Sequence, residues 1–111
     1  MFKLKTQLNT GLPGPVVLAH RASTFFGVHR NPAQEGYKRG WIVSHTSSGG
    51  KLGETRTVAE GKDYAESMLE IGGHGLWALG SFEEVQLELN LQPVLRAELL
   101  RCKVAQTTRI L

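Results

Sequence analysis

One cysteine, Cys102, stands in 111 residues, so an intramolecular disulfide framework is excluded. Apolar runs stop at lengths such as VVLA, residues 16–19, far below the ~20 residues that a membrane-crossing helix needs. The opening MFKLKTQLNT carries lysines without the continuous apolar stretch of a secretory signal. Together these shortages create the expectation of a reducing, cytoplasmic setting with no membrane contact. No internal repeat, heptad run or low-complexity tract occurs, which removes solenoid and coiled-coil architectures.

What is present suits one folded unit. A chain of 111 residues has room for a single core, since domains cluster around ~100–150 residues. Hydrophobic residues make up 41% and charged residues 21%, a balance that argues against wholesale disorder. The expectation is a single domain over residues 1–111, with 104–111 as a tail. Charge is unevenly placed. Residues 1–62 hold nine Lys/Arg against three acids, giving +6, whereas residues 63–111 hold four against seven, giving −3. Such asymmetry marks one half as a face for nucleic acid or an acidic partner, against the plainer reading of a mixed, solvated surface.

The local patterns place strands first and helices after. Residues 9–15, with two prolines and two glycines, read as a loop. Residues 16–22 and 25–30 read as strands joined by a short turn, and residues 31–40 as a second loop. The clearest strand is 41–46 (WIVSHT), rich in β-branched and aromatic residues and closed by the turn chemistry of SSGG. Residues 51–55 return as a short edge strand. Thr57 and Glu60 have the spacing of a capping box. Val58, Gly61, Ala65, Met68 and Leu69 then share a helical face, with Gly61 allowing close approach to a sheet and Gly72 and Gly73 supplying the stop. Residues 74–80 read as a loop dropping Leu76, Trp77 and Leu79 onto the core. Ser81 and Glu84 form a second capping box, opening a helix with Val85 and Leu89 inward. Pro93 interrupts or restarts it, and Val94, Leu95, Leu99 and Cys102 continue the stripe. The fold class expected is α+β: a small antiparallel sheet of three to four strands over 16–55, packed by a helix at 58–71, with one or two further helices in 82–103.

Four constellations invite a chemical reading. His20, His29 and His45 lie in strand segments, and with aligned registers all three fall near one face beside Phe25 and Trp41. A zinc ion needs three or four such ligands in tetrahedral geometry, but no local ligand spacing supports it, and half-buried, hydrogen-bonded histidines are the plainer alternative. Aromatic and basic residues interleave on the same strands (Phe25 or Phe26, Arg21, Arg30, Trp41), as in platforms that stack bases, although no known nucleic-acid module accompanies them. The stretch SSGGKLG, residues 47–53, is not a phosphate-binding loop: His45 stands where the first glycine belongs and Leu52 where Ser or Thr belongs. Nucleophile arrangements are as weak. Cys102 lies on an apolar helical stripe, and Ser44 and His45 are strand neighbours that point to opposite faces. No isolated carboxylate pair suggests acid–base work, so no catalytic residue and no cofactor is assigned, and a non-enzyme is favoured.

The segment WIVSHTSSG (41–49) followed by TVAEGKDYAESML (57–69) resembles a pattern in small accessory proteins of phages, plasmids and other mobile elements. There, an aromatic-x-Val-Ser/Thr-His strand and a Ser/Gly turn lead into an Ala-rich helix. The resemblance is structural in character and carries over no functional residue. It implies roles in binding and regulation, including inhibition of host defence systems.

Three functions follow from these readings. The first is a non-enzymatic binding or regulatory domain that contacts nucleic acid or an acidic protein surface through Arg21, Arg30, Lys38, Arg39, Lys51 and Arg56. The second is a protein–protein inhibitor or adaptor, homodimeric through the leucine-rich segment 87–100. The third is a small-molecule or metal site built on His20, His29 and His45 with Trp77.

Overall fold

The computed structural model describes residues 1–8, 10, 12–30 and 40–110, with the side chains of 107–110 outside the description. Five strands form one antiparallel sheet in sequence order: β1 (Phe2–Gln7), β2 (Pro13–Arg21), β3 (Phe26–His29), β4 (Trp41–His45) and β5 (Lys51–Thr55). Three helices follow: α1 (Val58–Trp77), α2 (Phe82–Leu91) and α3 (Pro93–Ile110). The α+β class and the strands-then-helices order agree with the sequence expectation. The strand count is five rather than three to four.

The additional strand is β1, which lengthens β2 as well. Residues 13–19 of β2 pair with β1, while His20 and Arg21 pair with β3. Pro13 and Pro15, expected in a loop, belong to the stretch of β2 that does not pair with β3. There a missing N–H disturbs no second ladder, and the Pro15 carbonyl accepts a hydrogen bond from the Thr6 hydroxyl at 2.6 Å.

The sheet curls strongly, and two glycines make this possible. A Cβ on Gly27 would lie 2.7 Å from Leu4 and 2.9 Å from Phe2, so the β1–β2 hairpin folds back over the β3–β4 face that carries Gly27. A Cβ on Gly49 would lie 2.1 Å from the Lys5 carbonyl oxygen, and Gly49 has φ +74°. Only glycine tolerates both conditions. The Gln7 N–H then donates to the Gly49 carbonyl at 3.0 Å, tying β1 to the β4–β5 turn. Leu4, Ala19 and Ile42 are buried on this side.

The main core lies on the opposite face, where Phe26, Val28 and Val43 meet Tyr64, Ala65, Met68 and Trp77 of α1 and Val85 of α2. Full burial of such side chains stabilises by roughly 1.5–3 kcal/mol each. Thr57 caps α1 by accepting from the Glu60 N–H at 3.1 Å. The carboxylate of Glu60 pairs with the Arg56 guanidinium. Gly61 has the role expected of it: its missing Cβ would sit 2.7 Å from Val28, so α1 lies directly on the sheet.

Helix α1 outruns the expected 58–71 boundary. Gly73, at φ +79° and ψ 167°, breaks it where a stop was expected, and one further turn follows. That turn carries Leu76 and Trp77 into the core, with Trp77 Nε1–H donating to the Met68 carbonyl at 2.9 Å. Ser81 caps α2 through the Glu84 N–H. Pro93 restarts the chain as α3, which continues through the stretch expected to be a tail. Gln106 of α3 reaches Glu60 near the start of α1, so α3 runs back along α1.

Candidate functional site

The three strand histidines do not converge. His20 pairs with Val28, and His45 with Phe26, so both lie on the helix-covered face. His29 pairs with Ile42 and points to the opposite face. Among the described residues no group of three or more His, Cys, Asp or Glu is arranged to hold a metal ion. His20 packs its ring edge against Trp41 at 5.6 Å.

The other two histidines are structural joints. The Arg30 carbonyl, 2.6 Å from His29 Nδ1, can only accept, so Nδ1 carries the proton and Nε2 accepts from the Ser44 hydroxyl at 2.8 Å. The Trp77 carbonyl, 2.7 Å from His45 Nε2, fixes the other tautomer. His45 Nδ1 accepts from the Ser48 hydroxyl at 2.9 Å, and the Ser48 oxygen accepts from the Gly50 N–H. Burial pushes both imidazoles below their ordinary value, against smaller upward pulls from the carbonyls. Ser44 and His29 thus have the bonding geometry of a nucleophile and its base. They are 1% and 2% exposed, and a substrate has no approach to them, so the pair braces β3 against β4.

The described members of the predicted basic face are each engaged within the molecule. Lys51 pairs with Glu54, and Arg56 with Glu60. Arg21 lies 4.2 Å over the Phe2 ring, and Arg30 the same distance over Trp41. Arg30 also donates to the Gly40 carbonyl. Lys38 and Arg39 fall outside the described residues. Of the six cations expected to form the binding face, four are described, and two of those four are neutralised by a neighbouring carboxylate.

A feature not anticipated from sequence lies between β5, α1, α2 and α3. Leu52, Tyr64, Val85, Leu89 and Leu99 contribute to a cleft of about 210 Å³, with Lys51, Arg96 and Lys103 also on its walls. Among the described residues that line it there is no carboxylate. Its polar floor atoms are occupied: the Tyr64 hydroxyl donates to the Leu52 carbonyl at 3.2 Å, and the Trp77 N–H to Met68. Burial, with a smaller contribution from Cys102, pushes the Tyr64 phenol well above its ordinary range. Among the described residues no buried side-chain N or O lacks a partner. The cleft therefore offers apolar contact and positive charge, with no group placed for catalysis. A larger groove of about 660 Å³ runs between Gln7, Lys51 and Glu83. Its Lys51 and Ser81 side chains are already engaged, with Glu54 and with the N-terminus of α2.

The helices α2 and α3 also present Leu87, Leu91, Val94, Leu100 and Val104 to the exterior, each more than half exposed. No described helix is long and apolar enough to cross a membrane. No protein-family model matches the chain, and no significant match is found among curated proteins or solved structures.

Proposed function

We propose that this is a non-catalytic protein-binding domain that receives an apolar side chain of an acidic partner segment in the cleft between β5, α2 and α3. The observation that carries the reading is the lining itself: an apolar floor with Arg96 and Lys103 on its walls and no carboxylate among the described residues that line it. At about 210 Å³ the cleft falls below the ~300–1,000 Å³ of small-molecule sites. It matches instead the pockets that seat one anchoring side chain at a protein interface. Seating a leucine there stabilises a complex by roughly 1.5–3 kcal/mol, and the cationic walls add selection for Asp or Glu beside the anchor.

The resemblance of residues 41–69 to mobile-element accessory proteins implies the same broad class, binding and regulation. The nucleic-acid alternative has less behind it, because Lys51 and Arg56 give their charge to adjacent carboxylates. It would require an affinity for DNA or RNA that falls steeply with salt.

The test is selection from a random peptide display library on the wild-type protein and on an Arg96→Glu/Lys103→Glu variant. Wild type should enrich peptides with a large apolar residue flanked by Asp or Glu. The variant should lose that preference or invert it towards Lys and Arg. The same enrichment on both proteins, or no charge preference on wild type, would remove the reading.

A further inference from the structure

We infer that the outer edge of β1 receives a short extended segment of an acidic partner as an added antiparallel strand. β1 ends the sheet order and pairs only with β2. In such a strand the N–H and C=O of one residue point to the same edge, and successive residues alternate between edges. The register shift between Lys5 and Gln7 places its extra residue on β2, so β1 alternates without interruption. Thr6 turns its carbonyl towards β2, where a Cβ on Gly14 would lie 3.4 Å from that oxygen. Gln7 turns its N–H the other way, to the Gly49 carbonyl at 3.0 Å, and the Lys5 carbonyl oxygen also lies against Gly49. Lys3 and Lys5 share the parity of Gln7. Among the described residues, the Lys3 N–H, the Lys3 C=O and the Lys5 N–H therefore stand on the outer edge with no backbone partner.

A groove of about 470 Å³ follows this edge. Every residue of β1 lines it, and Thr46, Ser47 and Ser48 of the β4–β5 turn form the facing wall. At ~3.3 Å per residue the strand extends roughly 20 Å, which suits an extended chain rather than a compact ligand. Main-chain pairing of this kind supplies affinity, and the side chains beside it supply selection. With Gly49 already seated against Lys5 and Gln7, the open register is short and the complex is weak and exchanging. The histidines and arginines of the strand half are engaged, but its main-chain edge is open.

Charge selects the occupant. Lys3 and Lys5 are exposed on one face of β1. Neither forms an ion pair among the described residues, and no carboxylate is among the described residues that line the groove. A residue opposite either lysine on an added strand has its Cβ ~4.5–5.5 Å away, where opposite charges attract. Asp or Glu at alternate positions is thus favoured. A second copy pairing through its own β1 about Leu4 would set Lys3 opposite Lys5, and like charges so placed are destabilising. The lysines turn the edge away from self-association and towards an acidic strand. Neither lysine lines the cleft, so the inference does not rest on the binding reading above.

The test is a titration of isotopically labelled protein with a short synthetic peptide alternating Glu and Thr, read by amide shifts and amide hydrogen exchange. The Lys3 and Lys5 N–H groups should gain several-fold protection, while Leu4, whose N–H faces β2, should change little. In the antiparallel register a Glu opposite Lys3 exchanges both main-chain bonds with it. A peptide N-methylated at its Glu residues should therefore lose binding, and one N-methylated at its Thr residues should keep it, with the protein untouched in both cases. Lys3→Glu/Lys5→Glu should reject the Glu–Thr peptide and accept a Lys–Thr one. The Arg96→Glu/Lys103→Glu variant should bind the Glu–Thr peptide as wild type does, which separates this site from the cleft. No protection at Lys3 and Lys5, equal binding of the two methylated peptides, or loss of binding on the cleft variant would overturn the inference. The lysines would then serve only to keep an edge strand from pairing.

Discussion

The strand half and the helix half treat their reactive surface in opposite ways. In the strand half polar groups close on one another: His29 on Ser44, His45 on Ser48 and Trp77, Lys51 on Glu54, and Arg21 and Arg30 on aromatic rings. In the helix half the inward faces are filled, but α2 and α3 leave large apolar side chains outside and a cation-lined cleft beside them. Net positive charge alone would direct attention to the strands. Local pairing shows that formal charge is a poor guide to what remains for a partner, because a cation beside a carboxylate or an aromatic ring already has one.

If the joint between the halves rests on Trp77, Trp77→Ala has the largest effect. It empties a 2%-exposed site and removes the donor to the Met68 carbonyl. A loss of about 3–5 kcal/mol should appear in the urea midpoint. Gly61→Leu comes next. Its side chain would enter the Val28 contact, and overpacking of this kind costs about 1–3 kcal/mol.

Acid distinguishes the halves without mutation. His29 and His45 are held neutral with lowered affinity for protons, so below their ordinary value of about 6.5 the unfolded chain takes up protons that the folded chain refuses. Their contribution is complete above that pH and is lost as pH falls towards the folded values. The thermal midpoint should therefore drop between neutral pH and pH 5, and His29→Gln or His45→Gln should flatten the slope. The smallest effects are expected at the surface. Arg56→Ala should leave the midpoint unmoved, since the Arg56–Glu60 pair is exposed to solvent, and Leu91→Gln should change stability by no more than about 0.5 kcal/mol.

Local chemistry made much of the fold legible in advance. Four of the five strands, the Thr57 and Ser81 caps, the break at Gly73 and the restart at Pro93 all follow from signals within a few residues. What escaped depends on distant partners. β1 does alternate apolar and basic residues over Phe2, Lys3, Leu4 and Lys5, but the run is short, and its place in the fold is set by Leu4 and Phe2 covering Gly27. The extra turn of α1 exists because Trp77 finds the core and a carbonyl at Met68. The histidine arrangement needed the β3–β4 register, which puts His29 and His45 on opposite faces. The cleft draws side chains from four elements, so no sequence window contains it. The apolar run 87–100 was visible as a leucine-rich segment, but its division into inward and outward faces required the packed helices.

The most direct test is a titration of isotopically labelled protein with one acidic–apolar peptide from the display selection, followed through backbone amide shifts. The largest shifts should gather at Leu52, Tyr64, Val85, Leu99 and Lys103. Shifts centred instead on Arg21, Arg30 and Trp41 would contradict the assignment of binding to the helix half.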